Sequence, residues 1–145
     1  MLTSIELCAG AGGQALGLEK AGFSHQALVE IDKAACSTLK LNLPHWHVIE
    51  GDIAAVDGRR FKGIDLLAGG LPCPPFSVAG KQLGQADERN LFPEAIRLVD
   101  EIRPKAILIE NVRGILDAVF DDYRKHLKEQ LRKLGYIADW QILNA

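Results

Sequence analysis

Little in this chain suits it to a membrane, a metal centre or an oxidising compartment. Its three cysteines, Cys8, Cys36 and Cys73, stand far apart and form no knuckle of the kind that holds zinc. No charged amino-terminal segment followed by a long apolar stretch marks the start, and no apolar run approaches the roughly 20 residues that span a bilayer. A reduced, soluble, cytoplasmic protein is expected, with no metal. Charge is nearly balanced, 17 lysines and arginines against 19 aspartates and glutamates, for a formal net charge of -2. That balance removes any global attraction to a polyanion and leaves contact with nucleic acid to local basic loops. Internal repeats and low-complexity tails are absent too. The 145 residues are expected to form one domain, 1–145, that buries about two-thirds of the surface its unfolded chain exposes.

What the chain does have is alternation. Ser4 to Cys8 reads as a buried strand, followed by the turn Ala9-Gly10-Ala11-Gly12-Gly13 and a short helix ending near Gly22. Ala27 to Ile31 reads as a second strand, and Ala35, Leu39 and Leu43 recur at four-residue spacing in a second helix. Val48-Ile49 leads into Gly51-Asp52-Ile53; Ile64 to Ala68 and Ala106 to Ile109 are further apolar runs of strand length. Between and after these two runs, Phe92, Ile96 and Val99, then Leu127, Leu131 and Leu134, form helical stripes suited to packing on a sheet. Strands separated by helices predict parallel crossover units, hence an α/β fold with an open, mostly parallel sheet and helices on both faces.

Chemistry in such a sheet gathers where strands end at their carboxyl side. The glycine-rich turn after the first strand permits close backbone approach, and the helix start behind it offers amide donors to a ligand. Gly10-x-Gly12-x-x-Ala15 also fits a dinucleotide fingerprint, with Glu30 at about the distance of a ribose-binding acid. A nucleotide or adenosyl cofactor is one reading and a tight structural turn the other. Glu30 has the acceptors for two ribose hydroxyls and Asp52 for an exocyclic adenine amine, against the plainer reading of two solvated acids. Cys73 sits in Gly69-Gly70-Leu71-Pro72-Cys73-Pro74-Pro75-Phe76-Ser77, where Pro72, Pro74 and Pro75 restrict the chain and remove three backbone donors. A thiolate there is a candidate nucleophile, and the second apolar run delivers Glu110-Asn111-Val112 toward the same crevice. The plainer reading is a buried cysteine at a proline-rich turn. Cys8, ending a strand, and Cys36, in a helix, read as structural filling.

At these residues the chain resembles the amino-terminal catalytic region of the DNA cytosine-C5 methyltransferases. Glu6-Leu7-Cys8-Ala9-Gly10-Ala11-Gly12-Gly13 resembles the family's cofactor loop, Gly69 to Ser77 its catalytic cysteine loop, and Glu110-Asn111-Val112 its catalytic-acid motif. The three occur in the family's order, with Glu30 and Gly51-Asp52-Ile53 between the first two, so the resemblance covers nearly the whole chain. It implies the Rossmann-like S-adenosylmethionine-dependent methyltransferase fold in incomplete form. Cys8, Ala9, Gly10, Gly12 and Gly13 would border the cofactor, Glu30 and Ile31 its ribose side, and Asp52 and Ile53 its adenine. Cys73 would be the nucleophile and Glu110 the acid that holds the target base, with Pro72 shaping the loop and Asn111 and Val112 ordering the acid motif. Ser77 to Arg89, including Lys81, would be the loop that closes over the base, or else a solvated surface loop.

The implied reaction is methyl transfer from S-adenosylmethionine to C5 of a flipped cytosine in DNA, through a covalent cysteine–C6 adduct and with S-adenosylhomocysteine as product. A tRNA cytosine methyltransferase is the alternative within catalysis, an inactive cofactor-binding or interaction fragment the alternative outside it, and a dehydrogenase a distant third. The resemblance also implies a bacterial restriction-modification setting. Three departures stand out: Cys8 for the family's usual phenylalanine, Glu6 for a common aspartate, and Pro74 for the usual glutamine. Leu143-Asn144-Ala145 resembles the beginning of the next family motif, and by that resemblance the arginine motif, the target-recognition domain and the carboxyl-terminal helix are expected beyond it. A fragment, a truncated product or one subunit of a split enzyme is therefore expected, inactive alone and completed by a carboxyl-terminal partner or domain.

Overall fold

Five apolar stretches become parallel strands: β1 (Leu2–Leu7), β2 (Phe23–Glu30), β3 (Val48–Glu50), β4 (Leu66–Gly70) and β5 (Ala106–Glu110). The computed structural model describes residues 1–72 and 90–144, so Cys73, Ser77, Lys81 and Arg89 lie outside the described residues. The described chain falls into two units, Met1–Leu71 with Phe92–Glu110, and Pro72–Leu91 with Asn111–Ala145.

The first unit holds the sheet, in the order β3-β2-β1-β4-β5. Helices α1 (Gly13–Lys20) and α2 (Lys33–Asn42) carry the chain outward from β1 to β2 to β3, whereas α3 (Phe92–Ile102) carries it the other way, from β4 to β5. Because crossovers between parallel strands are right-handed, reversing the direction moves α3 to the opposite face of the sheet from α1 and α2. The order thus reverses between β1 and β4, and the carboxyl ends of those two strands flank the crevice where open α/β sheets bind ligands.

The helical stripes are met only in part: of Ala35, Leu39 and Leu43 only Leu39 is buried, with Cys36 beside it, and of Leu127, Leu131 and Leu134 only Leu127. Ala9, Ala15, Leu28, Leu39 and Trp46 form a buried cluster under α1 and α2. On α3, Phe92, Ala95, Leu98, Val99 and Ile102 are buried, whereas Ile96, expected in the stripe, is half-buried. Leu98 takes its place because positions 95, 98, 99 and 102 follow the helix repeat more closely. Arg97 on the outer side binds Glu94 and Glu101 and donates to the Ile53 and Val56 carbonyls at 3.0 and 3.2 Å, fastening α3 to the segment after β3. At the amino ends of the strands, Asp65 accepts the Thr3 amide at 2.7 Å and pairs with Lys105, and the Lys105 ammonium together with the Thr3 donors holds its carboxyl down at about 2.

Several strand boundaries differ from expectation: β1 begins at Leu2 and not Ser4, and β4 runs Leu66–Gly70 where Ile64 to Ala68 was expected. β2 starts at Phe23, four residues before Ala27, because Ser24 and His25 pair with Thr3 and Ser4 even though they break the apolar run. Between Ser4 and Ile5 the register slips: Ser4 faces His25 but Ile5 faces Ala27, leaving Gln26 as an exposed bulge. β1 in turn stops at Leu7, since Cys8 takes a left-handed conformation at φ 54°.

The second unit contains two short 3-10 turns, Arg113–Leu116 and Ala118–Phe120, and α4 (Asp121–Lys133). Asp121 and Asp122 open that helix and Arg132 and Lys133 close it, each sign facing the helix end it stabilises. Tyr123 and Leu127 are its buried residues, and Asn90 donates to the Tyr123 hydroxyl at 2.7 Å. Gly135, at φ 96°, terminates the helix as its position after the leucine stripe predicted.

Candidate active site at the carboxyl ends of the strands

β1 delivers the chain into a turn that passes through the left-handed region three times, at Cys8, Gly10 (φ 55°) and Gly12 (φ 90°). The glycines serve different ends. A β-carbon on Gly12 would lie 2.6 Å from Leu39 Cδ2 and 3.0 Å from the Trp46 ring, so packing of the turn against α2 excludes a side chain there. A β-carbon on Gly10 or Gly13 would meet no protein atom within 4 Å, so that side of the turn faces open space.

Glu30, the last residue of β2 and 8% exposed, fixes this turn. Its Oε2 accepts the Gly10 amide at 2.7 Å and its Oε1 the Asp32 amide at 2.8 Å. Both bonds are charge-assisted, which makes them among the stronger single contacts available to a loop. A carboxylate offers about four acceptor positions, so two remain for hydroxyl donors. Ile31 beside it is 65% exposed, an apolar surface with no place in the core. Asp52 is exposed and caps the 3-10 turn Ile53–Ala55 by accepting the Ala54 amide at 2.9 Å. The Ile53 side chain is buried.

Cys8 lies among these acids. Burial, followed by the charges of Glu30 and Asp52, pushes its thiol up to about 12. It is therefore a thiol and not a thiolate at neutral pH, consistent with the structural role read from the sequence. Cys36 is buried in α2, its thiol directed at the Glu30 carbonyl at 3.3 Å and also raised by burial.

On the other side of the switch point, Gly69 and Gly70 end β4 beside Ile109 and Glu110 of β5. A β-carbon on Gly69 would lie 3.1 Å from the Leu7 carbonyl, so β4 approaches β1 closely only as glycine. The space above Gly70 is bordered by Glu110 Oε2 at 3.6 Å and the Cys8 carbonyl oxygen at 3.9 Å. Glu110 is exposed there, and Leu71 turns inward, 2% exposed. Cys8, Glu30, Asp52, Gly70 and Glu110 thus gather at one end of one sheet. In the second unit, Pro72 is half-buried and Asn111 accepts the Val112 amide at 2.9 Å through its side chain.

Residues 2–145 match the family of C-5 cytosine-specific DNA methylases. The chain belongs to that family. S-adenosylmethionine is the cofactor of these methyltransferases. Among relatives, the type II methyltransferase M.NgoMIV of Neisseria gonorrhoeae is 66% identical over 99% of this chain, and M.NaeI of Lentzea aerocolonigenes 52% identical over 99%. The chain spans 46% and 36% of their lengths. Among solved structures, a putative DNA modification methyltransferase of an Escherichia coli prophage superposes with a TM-score of 0.76 at 32% identity, covering 92% of this chain and 38% of that one. Spodoptera frugiperda DNMT2 gives 0.70 at 27% identity, covering 92% and 41%. The open parallel methyltransferase sheet expected from the sequence is thus the fold observed. Among the described residues no three histidine, cysteine or acidic side chains group as a metal site, and no helix is long and apolar enough to cross a membrane.

Two further polar residues act on the start of α1: Glu6, which the sequence offers only as part of the loop motif, and His25. Glu6, on β1, is 1% exposed with Oε2 unpartnered, and burial lifts its carboxyl to about 7 against the opposing pull of the Ala15 amide. His25, on β2, contacts the Ala15 carbonyl at 2.9 Å through Nε2 and the Ser4 hydroxyl at 2.8 Å through Nδ1. The signal for Glu6 was present: a carboxylate inside a strand that must be buried on both faces. His25 carried none, because the bulge that turns it inward leaves no mark in the sequence.

Proposed function

We propose that this chain is the cofactor-binding and catalytic half of a bacterial, cytoplasmic DNA cytosine-C5 methyltransferase. The observation that carries the reading is the convergence of Glu110 and the Glu30-braced glycine turn at the carboxyl ends of strands flanking the switch point. S-adenosylmethionine fits the residues present. The open side of Gly10 and Gly13 admits it, the two unused acceptor positions of Glu30 suit its ribose, Ile31 offers apolar surface, and the second oxygen of Asp52 suits the adenine amine. When bound, it supplies a methyl group on a positively charged sulfonium.

The chain's own part is to make cytosine C5 nucleophilic. Cys73 follows β4 by three residues, and its thiolate adds to C6 of a base taken out of the duplex, forming a carbon–sulfur bond. Glu110 holds the N3 and N4 edge, so that the electron pair displaced from the C5–C6 bond is stabilised while C5 takes the methyl group. A base then removes the C5 proton, and the returning pair expels the Cys73 thiolate and restores the ring. Cys8, with its thiol held protonated, takes no part.

Turnover is assigned to the full-length protein, since this chain spans less than half the length of these relatives. Trapping the full-length enzyme on DNA containing 5-fluorocytosine, followed by peptide mass spectrometry, tests the assignment. The expected adduct is on Cys73, and an adduct on Cys8 or full turnover by Cys73→Ala defeats it.

A further inference from the structure

We propose that Glu6 and His25 are positioning residues for the cofactor turn, acting together on the peptide groups of a single residue, Ala15. The proposal rests on the reading of Gly10 to Gly13 as the turn that receives S-adenosylmethionine.

Ala15 is the third residue of α1 and fully buried. The first amides of a helix have no partner within it, so a buried one must find an acceptor elsewhere. Here the Glu6 carboxyl, buried on β1, is the acceptor on which the Ala15 N–H acts, drawing its pKa down against burial. The Ala15 C=O accepts from His25 Nε2 at 2.9 Å, an assignment that follows because a carbonyl can only accept. The same ring is steadied through Nδ1 by Ser4, fully buried and two residues before Glu6 on the same face of β1. The Ala15 carbonyl is thereby tied to β2 at 2.9 Å, while its N–H acts on the carboxyl carried by β1.

The bulge makes this possible. With regular alternation His25 would share a face with Ala27 and Val29, away from Leu28. The extra residue, Gln26, shifts the phase, so that His25 and Leu28 both reach the face that carries α1 and Ala15. The turn from Cys8 to Gly12 thus hangs between two anchors, Glu30 holding Gly10 and the Glu6–His25 pair holding the helix start. The open flank at Gly10 and Gly13 keeps its shape because both ends are fixed. A buried carboxyl with one oxygen unpartnered is a costly way to fill an apolar strand. Its use here is intelligible as a hydrogen-bond acceptor and not as a charge.

The test separates acceptor and donor capacity from bulk. Glu6→Gln and His25→Gln keep an oxygen or an N–H toward Ala15; Glu6→Leu and His25→Leu fill the space without one. Affinity for S-adenosylhomocysteine is measured by titration calorimetry, and melting temperature separately. The glutamine variants are expected within about threefold of the native affinity and the leucine variants at least about tenfold weaker, the loss set by an unmade buried hydrogen bond. Leucine variants that fold and bind as the native protein does would overturn the proposal, as would glutamine variants as weak as the leucine ones. Should the leucine variants fail to fold, amide exchange of the native protein decides. The Ala15 N–H is expected to be protected like the amides of β1, and exchange at the rate of a free helix start refutes the anchor. Absence of any binding by the native chain would instead strike the cofactor reading, and this proposal with it.

Discussion

A carboxyl group held near neutrality has a consequence for folding as well as for the site. Glu6 ionises at about 7 in the folded chain, against 4.5 when unfolded, with burial as the main cause. A raised acid favours the folded state most below its unfolded value, and that advantage is lost as pH rises through 7. The loss is about 3 kcal/mol across this window, at roughly 1.4 kcal/mol per unit. Glu6→Gln should therefore remove a downward step in stability between pH 4.5 and 7, measurable by urea unfolding at a series of pH values. An unchanged pH profile would show that Glu6 is not the group responsible. Cys8 gives a second residue-scale expectation: with its thiol pushed up to about 12, it should resist iodoacetamide at pH 8 in the folded chain and react on unfolding, as read by peptide mass spectrometry. The acids at strand ends, Glu30, Asp52 and Glu110, were legible in the sequence because a parallel strand announces its own carboxyl end. Glu6 was legible only as a member of the loop motif and His25 not at all, because their partner is helix backbone, which His25 faces only through the bulge.

At the scale of elements, two adjacent glycines where the turn meets α1 should respond differently to the same added methyl group. Gly12→Ala forces a side chain toward Leu39 and Trp46 at a backbone angle that L residues avoid, and should cost about 2–4 kcal/mol of stability. Gly13→Ala meets nothing within the protein and lies inside α1, where alanine is favoured by up to about 1 kcal/mol. It should fold at least as well as the native chain yet weaken S-adenosylhomocysteine binding. Thermal melts with calorimetry distinguish the two, and equal destabilisation would contradict the packing described. Most of the elements followed from periodicity, since buried parallel strands are apolar runs and α3 is amphipathic. Their ends did not. Phe23 to His25 joined β2 through main-chain pairing that needs no apolar side chain, and Cys8 left β1 because the turn requires a left-handed residue where the apolar pattern still reads strand.

For the molecule as a whole, the expectation concerns recognition. Cys73 and Glu110 are proposed to handle one base, and discrimination among its neighbours takes groove contacts from other surfaces. With a net charge of -2 and no global attraction to a polyanion, the chain should show no sequence-selective duplex binding at physiological salt. Competition shift assays across unrelated duplexes check this, and a strong preference for one short sequence would reveal a recognition surface within these residues. The strand order also sets a timetable for synthesis. Of these five strands the first made is the middle of the sheet: β1 can pair with β2 as soon as that strand emerges, but its other edge waits for β4, with Thr3 and Asp65 joined across 62 residues. At about 5–20 residues per second, the ribosome leaves that edge uncovered for roughly 3–12 seconds. Through that interval a row of backbone donors and acceptors, destined for the centre of the protein, is its most adhesive surface.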